Sequence, residues 1–591
     1  MNARNLKEMY IRFFNDKEHV TLSSSSIVPE NDTSVLFTTA GVQPLVPYLL
    51  KGSHPKGSRL VNIQKCMRTK DIDEVGDSTH CTFFEMMGNW SIGSYFKKES
   101  ISWSWEFLTS KEWLNIPQEK IVVAVFDGND TVPRDMESFN IWKGLGLDDH
   151  RIFFLSQEYN WWGPAGETGP CGPDTEIFID TGKEKCSKSC DPSCNCGKYI
   201  EFWNNVFMQY YKDKNGDFRP LETKIVDTGM GVERTLIALN GGSVYDIEIF
   251  ERVFRIIRDT ESFDVLDDTE IRACRIVADH LRSTVFILGD RSTVSPSNIG
   301  RGYVLRRLIR RAIRYGMSLD LDTTVYEEVI GCIVDFYKND YPELGINHDR
   351  IVNSFSTELQ RFNKTLQTGM KEFEKIAQQV DNKRQIPGKL AFRLFDTFGF
   401  PVELTTELAA EKGLLVDQSG FKECFDQHKE LSRKTSAHNF KGGLADNSVL
   451  TTRLHTATHI LHSALKEILG EEVNQKGSNI NSERLRFDFS FNRKLTSAET
   501  QDIENRVNEI IGSSVEVYHK EMSYIGAKEI GATGLFESKY KETVSVYFIG
   551  NYSVEICGGP HVSNTKELGH FAIKKEQSSS AGVRRIRAIL S

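Results

Sequence analysis

The hydrophobic pattern changes character twice along the chain and so predicts three regions. From residue 1 to 240, short runs of β-forming residues ("SVLFTTAG", "KIVVAVFDG", "TEIFID") alternate with turns that contain Gly, Pro or Asn. This alternation predicts an α+β domain with flanking helices around an antiparallel sheet.

Longer amphipathic repeats follow between residues 241 and 440. Three segments, "DIEIFERVFRIIRDT", "YEEVIGCIVDFYKND" and "VNSFSTELQRFNKTLQTGMKEFEKIAQQV", repeat apolar residues at the helical period, which predicts an all-α domain. The polar, Gly-containing stretch 433–448 predicts a linker. Helical and strand patterns alternate again from 441 to 591, so the expected fold is multidomain α+β.

A histidine row lies on the predicted helix "RLHTATHILHSALKEILG", residues 453–470. His455, His459 and His462 share one side, because residues three and four apart lie above one another on a helix. Imidazoles four residues apart can bind one cation, and the alternative is a row of histidines at a core edge. Thr456 stands where the metallopeptidase motif HExxH has its general base, so peptide hydrolysis by that route is disfavoured.

The segment "EICGGPHV" offers the remaining ligands for such a metal. Cys557 and His561 flank a Gly-Gly-Pro turn, and with His455 and His459 they form a chemically sensible zinc set. A purely structural zinc is one reading. A hydrolytic pocket is the other, because a zinc with an open position can activate water and Gln475 offers a polar group nearby.

A second cluster, "CSKSCDPSCNC", belongs to a predicted insertion at 183–198. In a reducing compartment, thiols this close favour zinc over disulfides, although the spacing differs from paired CxxC motifs. We expect a structural zinc there, without a catalytic role. The four candidate ligands are Cys186, Cys190, Cys194 and Cys196.

The segment "RGYVLRRLIRRAIR", 301–314, places apolar residues on one half of a helix and arginines on the other, and it contains no acid. A charge run is usually a solvated face, but five unpaired arginines would repel one another. A polyanion partner is therefore the preferred interpretation, since guanidinium groups bind phosphate bidentately. These arginines are Arg306, Arg307, Arg310, Arg311 and Arg314.

Bulk properties narrow the class of protein. The 591 residues predict two to four domains. The N-terminus has no signal-peptide core and no run reaches membrane-spanning length, so we expect a cytoplasmic protein. Eleven cysteines then read as thiols or metal ligands. A net charge of −9 gives no general attraction for nucleic acid, so any such binding needs a local patch.

Three N-terminal pieces suit a nucleotide. "QKCMRTKDIDEVG" carries Arg68, and "VDTGMGVERT" carries Asp227 and Arg234, while "WWGPAGETGPCGPDTEIFID" is a Gly/Pro-rich loop entering a strand. Two arginines with acids beside them would suit the phosphates of a nucleotide and its magnesium. Gly-x-Gly alone is only a weak signal.

Taken together, these pieces resemble the alanyl-tRNA synthetases, a family of class II aminoacyl-tRNA synthetases. "SVLFTTAGVQP", "QKCMRT…TFFEMMGNWSIGSYFK" and "VDTGMGVERT" are similar to class motifs 1, 2 and 3. The resemblance continues in the family's order through virtually the whole chain, in "EFWNNVFMQY", "SNIGRGYVLRRLIRRAIR", "FDTFGFPVEL", "RLHTATHILH" and "EICGGPHV". It implies a catalytic domain at 1–240, a helical tRNA-recognition domain at 241–440 and a zinc-binding editing domain at 441–591.

The resemblance also implies a role for each matching residue in activating alanine with ATP and Mg²⁺. Arg68 would hold the ATP α-phosphate and the alanine carboxylate, and Arg234 the γ-phosphate. The adenine would pack on Phe84 and Met86. The alanine pocket would be formed by Trp162, Asn204, Val206 and Asp227, the last of which takes the α-ammonium group.

Further roles concern tRNA(Ala) and proofreading. Asn298 and Asp396 match the pair that reads the G:U base pair of the acceptor stem, beside the arginine helix that would hold the backbone. His455, His459, Cys557 and His561 match the ligands of an editing-site zinc, with Gln475 in the same pocket. Such editing is reasonable, because a pocket sized for a methyl group discriminates against glycine or serine only by about 10- to 200-fold.

Three departures from the family pattern stand out. The β-barrel subdomain with its Gly-Gly-Gln loop has no counterpart before the editing region, and we expect no C-terminal domain after "AGVRRIRAILS". We therefore expect a monomer rather than a dimer. Pro560 stands where the family usually has Thr. The competing hypotheses are a paralogue that loads another carrier and an inactive RNA-binding protein stabilised by zinc.

Overall fold

The computed structural model describes residues 1–29, 35–164, 168–258, 267–380, 384–437, 448–481, 483–533, 543–580 and 582–591. Their contacts divide into two compact units, Met1–Ile386 with Arg393–Val416 and Pro387–Phe392 with Asp417–Ser591. The predicted boundary at 440/441 and most of the predicted linker 433–448 lie outside the described residues. Residues 433–437 end a helix, so the linker prediction is wrong for them.

The strands of the first unit carry the N-terminal site. They are β1 Val20–Thr21, β2 Arg59–Met67, β3 Phe83–Ile92, β4 Ile121–Phe126, β5 Ile152–Leu155, β6 Trp161–Trp162, β7 Gly169–Asp180, β8 Tyr199–Lys212, β9 Phe218–Gly231, β10 Gln385–Ile386 and β11 Leu415–Val416. Among the described residues, β1 to β9 form one sheet in the order β1-β2-β3-β9-β8-β7-β4-β5, with β6 paired to β7. Only β1–β2 and β4–β5 pair in parallel, so the sheet is mixed and mainly antiparallel.

Sequence and burial agree along most of this sheet. Every residue of β4 is buried, which explains the uninterrupted apolar run "IVVAVF", and "TEIFID" ends β7. The prediction of a β-rich run at "SVLFTTAG" is wrong for its described residues, 35–41, which form no strand. The chain there turns instead, because the Gln43 side chain accepts a hydrogen bond from the Thr39 amide at 2.9 Å and a 3₁₀ helix, Gln43–Leu45, follows.

The helices follow the predicted periodicity, and the three segments with strong amphipathic repeats form α6, α9 and α11. In the first unit the α-helices are α1 Ala3–Asp16, α2 Val46–Lys51, α3 Lys97–Thr109, α4 Met136–Gly144, α5 Val232–Asn240, α6 Glu248–Arg258, α7 Asp268–Gly289, α8 Gly300–Ser318, α9 Thr323–Tyr337, α10 Pro342–Ile346 and α11 His348–Val380. They are followed by α12 Gly388–Phe398, α13 Val402–Glu411 and α14 Gln418–Ala437. Further 3₁₀ helices span Lys70–Asp73, Gln118–Lys120, Asp149–Arg151 and Val244–Asp246.

The second unit is also α+β. Its remaining elements are α15 Val449–Leu469, β12 Gln475–Ile480, β13 Leu485–Ser490, α16 Ser497–Gly512, β14 Val517–Ser523, α17 Tyr524–Glu529, β15 Thr543–Ile549, β16 Ser553–Ile556, a 3₁₀ helix Thr565–Leu568, β17 Phe571–Ser580 and β18 Val583–Leu590. One sheet has the order β12-β13-β18-β17 and another β14-β15-β16. The apolar faces of α15 and α16 share one core with the four-stranded sheet. In the part of the chain that is described, no helix is both long and apolar enough to cross a membrane.

Candidate active sites

A cleft at the ends of β2, β3 and β9 brings two of the predicted arginines together. Arg68 directly follows β2, and Arg234 lies in the first turn of α5. Met86 of β3 is opposite Gly231 of β9, and a Cβ at Gly229 would lie only 3.0 Å from the Met86 sulfur, so a glycine there leaves room for the thioether. The cleft is lined by Arg68, Asp71, Thr79, His80, Cys81, Phe84, Met86, Glu201, Phe202, Gly229, Gly231, Glu233, Arg234 and Val244.

The electrostatics of this cleft suit a flat ring that carries phosphates. The Arg68 guanidinium lies over the Phe84 ring at 4.9 Å and remains exposed. Arg234 donates to Glu201 Oε2 at 2.9 Å, so an acid holds the second cation in place. Guanidinium groups bind phosphate bidentately, and Phe84 and Met86 supply an apolar surface in the same cleft.

Asp227 lies four residues before Gly231 on β9 and is almost fully buried. In the strand register it lies between Trp90 of β3 and Val206 of β8. The Trp90 indole donates to Asp227 Oδ1 at 2.7 Å. Burial raises the pKa of Asp227 to about 7, and the Trp90 hydrogen bond opposes that rise. A positively charged ligand group beside this carboxyl would therefore favour its ionised form.

The other predicted alanine-pocket residues surround this carboxyl. Val206 is opposite Asp227, and Asn204 is opposite Gly229. Trp162, at the end of β6, packs against the apolar cluster that contains Val206. Asn204 Nδ2 donates to Asp174 at 3.4 Å, while its Oδ1 is buried without a hydrogen-bond partner among the described residues. Strand register and the shared apolar cluster thus bring these residues near Asp227, although the lining of the cleft between Arg68 and Arg234 does not include them.

The predicted readers of the tRNA acceptor stem are both exposed residues of the first unit. Asn298 lies just before α8, and its side-chain oxygen accepts from Arg306. Asp396 lies in α12 beside Phe395, whose ring centroid is 6.5 Å from that of Tyr303 in α8. The two residues are thus carried by segments that pack against each other.

The interpretation of α8 as a row of unpaired arginines is wrong. The side chains of the five α8 arginines are 3 to 19% exposed, and each forms an ion pair with an acid from another element. Glu358 of α11 pairs with Arg306 and Arg310, Asp73 with Arg307, and Glu407 and Glu411 of α13 with Arg311 and Arg314. These acids lie far away in sequence, so the local pattern could not show them.

The second unit brings the four predicted metal ligands together. His455 and His459 lie on α15, and Cys557 and His561 on the loop after β16, with their ligand atoms within 4.8 Å of one another. The rings of His455 and His561 stack at 4.2 Å. Although burial raises it, the adjacent imidazoles of His455, His459 and His561 hold the pKa of Cys557 well below its usual range. A thiolate is the form that binds metal.

Each of the three imidazoles has its Nδ1 engaged away from the cluster. His455 Nδ1 donates to the Pro560 carbonyl at 3.0 Å, and His459 Nδ1 pairs with Glu555 at 2.8 Å. His561 Nδ1 lies 3.1 Å from the Thr456 hydroxyl. Metal-binding histidines are usually oriented through the other ring nitrogen in this way. Pro560, which stands where the family usually has Thr, accepts the hydrogen bond from His455 through its backbone carbonyl.

Two other predicted residues lie near this cluster in sequence but differ in their contacts. His462, one turn after His459, has its Nδ1 3.1 Å from Glu555 Oε1, so it supports the acid and is not a ligand. Gln475 begins β12 and pairs with Phe489 of β13. Among the described residues, no hydrogen bond joins Gln475 to the metal ligands, so its place in the pocket stays a prediction.

Three further residues of these sites were not predicted from the sequence. Trp90 holds Asp227, Glu201 holds Arg234 and Glu555 holds His459. Glu555 alone had a local signal, because it is the first letter of "EICGGPHV" and lies two residues before Cys557. The other two come from strands that only the folded sheet brings next to the arginine and the aspartate.

The class of this protein follows from the fold, the cleft and a comparison with protein families. A family model described as tRNA synthetases class II (A) matches residues 5–483. A second model, the threonyl and alanyl tRNA synthetase second additional domain, matches residues 544–587. The chain is thus a class II aminoacyl-tRNA synthetase, with a mixed sheet and flanking helices.

Its relatives define the family more closely. The alanine–tRNA ligase of Borrelia hermsii is 52% identical over 595 residues, covering all of both chains, and that of Treponema denticola is 54% identical, covering 99% of this chain and 98% of the relative. The chain belongs to the alanyl-tRNA synthetase family. The alanine–tRNA ligase of Caldicellulosiruptor saccharolyticus is 36% identical over 708 residues, covering all of this chain and 79% of the relative. That alignment is longer than this chain, so the relative contains internal segments that this chain lacks.

Proposed function

We propose that the cleft of the first unit joins alanine to AMP. Arg68 and Arg234 hold the phosphates of ATP, the adenine packs on Phe84 and Met86, and the alanine carboxylate displaces pyrophosphate from the α-phosphorus. Arg68 is oriented by its stacking on Phe84 and stabilises the charge that develops on the α-phosphate. The observation that carries the proposal is that both arginines line one cleft. Strand β9 contributes Gly229 and Gly231 to that cleft, and Asp227 lies two residues from Gly229 on the same strand.

The residues around Asp227 select a small amino acid. Asp227 receives the α-ammonium group, Asn204 offers its unpaired Oδ1, and Val206 and Trp162 limit the space for the side chain. Mg²⁺ would accompany ATP, because magnesium prefers oxygen ligands and the carboxylates of Glu201 and Asp71 face the same cleft.

The helical part of the first unit recognises tRNA(Ala). Asn298 and Asp396 read the G:U base pair, and α8 supports Asn298 through the Arg306 hydrogen bond. Because its five arginines are already paired with acids, α8 serves mainly as a scaffold for this reading surface. We assign residues 1–240 to activation, 241–440 to tRNA recognition and 441–591 to editing.

The second unit hydrolyses tRNA(Ala) that carries serine or glycine. His455, His459, Cys557 and His561 would hold Zn²⁺, and they fit it: the His561 Nε2 atom is buried without a hydrogen-bond partner among the described residues, as expected of a ligand atom reserved for a metal. When bound, zinc would act as a Lewis acid or position the tRNA end. Glu555 keeps His459 oriented, and Gln475 would contact the misplaced amino acid.

Aminoacylation of tRNA transcripts tests this function. We expect alanine charging of a transcript with the acceptor-stem G:U pair, and a loss of at least tenfold in kcat/KM when the pair is G:C. Asn298→Ala should bring the kcat/KM values for the two transcripts closer together. Efficient charging of both transcripts by the unaltered protein would reject the proposed reading of tRNA. Charging of neither would favour the paralogue or the inactive RNA-binding protein.

A further inference from the structure

The loop between β7 and β8 is long and polar. The structure describes every residue from 181 to 198 and shows no helix or strand there. Loops of more than about 12–15 residues without secondary structure are uncommon in compact domains. Helical or strand pairing therefore does not order this loop.

Four thiols meet in the middle of it. The sulfur atoms of Cys186 and Cys194 are 3.3 Å apart, and those of Cys190 and Cys196 are 3.7 Å apart. All four sulfurs lie within 4.8 Å of one another. A Zn–S bond of about 2.3 Å gives tetrahedral sulfur–sulfur edges of about 3.8 Å, whereas a disulfide needs about 2.05 Å. The arrangement has the size of a tetrathiolate cage.

The surrounding backbone supports such a cage. Tight turns close with the Cys190 amide donating to the Ser187 carbonyl at 3.2 Å and the Cys194 amide to the Asp191 carbonyl at 3.1 Å. The buried side of the cluster rests on an apolar group that includes Phe178 and Tyr199. Each turn therefore presents its cysteine to the same point.

We propose that Cys186, Cys190, Cys194 and Cys196 bind one structural zinc ion that fixes the β7–β8 hairpin. Four soft thiolates in tetrahedral arrangement select zinc over magnesium or calcium. The metal closes a loop whose ends are already joined, since the Thr181 amide donates to the Lys198 carbonyl at 2.9 Å. These cysteines belong to the first unit, whereas the editing-site ligands belong to the second.

The zinc also has a consequence for the nucleotide cleft, and this consequence alone rests on the proposed function. Strand β8 begins at Tyr199, directly after the cage, and Glu201 is its third residue. Glu201 accepts from Arg234, the proposed γ-phosphate ligand. Zinc in the cage therefore positions Glu201, and through it Arg234.

Zinc content of the full chain, purified without chelators, tests the site. We expect two zinc ions per chain, one for each four-residue cluster. Cys186→Ser/Cys194→Ser should lower the content by one, and Cys332→Ser, a matched control on α9, should leave it unchanged. Cys557→Ser removes the editing ligand but keeps the cage, so one zinc should remain even if the cage variant fails to fold.

The outcomes separate the two metal sites. No zinc in Cys557→Ser, or iron in place of zinc, would overturn the proposal. One zinc in both the unaltered chain and Cys557→Ser would support the cage while rejecting the editing metal. A thiol titration of the denatured chain that finds fewer than its eleven cysteines reactive would point to disulfides and overturn the proposal.

ATP kinetics test the consequence for the cleft. Cys186→Ser/Cys194→Ser should raise the KM for ATP several-fold with a smaller change in kcat, whereas general unfolding would lower the active fraction and leave KM unchanged. Cys332→Ser should match the unaltered chain. An unchanged KM for ATP in the cage variant would reject the positioning of Arg234.

Discussion

The Trp90 indole Nε1 donates to Asp227 Oδ1 at 2.7 Å, and this bond joins two neighbouring strands of the sheet. Gly88 makes it possible, because a Cβ there would lie 2.4 Å from the Trp90 ring. The indole therefore holds the Asp227 carboxylate in a buried position. Only a positively charged group of a ligand would balance the negative charge of the carboxylate there.

The pH dependence of alanine binding follows from the raised pKa of Asp227. Because burial raises that pKa to about 7, the carboxyl is largely neutral below this pH and attracts the alanine ammonium group weakly. We expect the KM for alanine in ATP–pyrophosphate exchange to fall as pH rises from about 6 to about 8 and then to level off. A flat profile would contradict this role of Asp227.

Replacing the indole should move that profile. Trp90→Phe removes the hydrogen bond that opposes the rise in the pKa of Asp227, so the midpoint of the alanine KM profile should shift to higher pH. Trp105→Phe, a buried tryptophan of α3 outside the cleft, is the matched control and should keep the original midpoint. An equal shift in both variants would show that the effect comes from packing.

Arg234 should contribute to ATP binding rather than to alanine binding. A hydrogen bond to a charged group contributes about 1.5–3 kcal/mol, so Arg234→Met should raise the KM for ATP about 10- to 150-fold. The KM for alanine should change little. Arg234→Lys should recover only part of the loss, because ammonium lacks the planar fork of guanidinium. Steady-state kinetics with each substrate varied in turn distinguish these results.

Glu555 should affect editing without affecting charging. Removing the partner of a metal-binding histidine typically lowers metal affinity 10- to 100-fold, so Glu555→Gln should lose zinc more easily and hydrolyse Ser-tRNA(Ala) more slowly. Glu509→Gln, an exposed acid of the same unit, is the control. Equal hydrolysis rates in the two variants, with equal zinc content, would reject the support of His459 by Glu555.

The pairing of α8 with Glu358 predicts an effect on stability. Glu358→Ala leaves Arg310 buried without its carboxylate, and breaking a buried pair in this way costs about 3–5 kcal/mol. Urea unfolding should show that loss, whereas Glu327→Ala, at an exposed position on α9, should change little. If Arg310→Met instead weakened tRNA binding and also made that binding less dependent on salt concentration, Arg310 would be a phosphate contact.

Local patterns predicted the elements better than the contacts between them. Periodicity located α6, α9, α11 and α15, because each helix repeats its apolar residues over several turns. It failed at "SVLFTTAG", where the Gln43 side chain captures a backbone amide and turns the chain. Periodicity located α8 as well, but the sequence could not show that its arginines are paired, because the acids that neutralise Arg310 and Arg311 come from α11 and α13.

The sites show the same division. The motif around Cys557 and the spacing of His455 and His459 predicted a cluster that the fold does bring together. Trp90 and Glu201 escaped notice, since each acts on a residue more than thirty positions away in sequence. Strand register alone makes them neighbours of Asp227 and Arg234.

Alanine-dependent ATP–pyrophosphate exchange tests the central claim most directly. The unaltered chain should exchange label only when alanine is present, and Asp227→Asn should lose at least 100-fold in kcat/KM for alanine while keeping its KM for ATP. Exchange that does not depend on alanine, or that survives Asp227→Asn unchanged, would contradict a cleft in which Arg68, Asp227 and Arg234 together activate the amino acid.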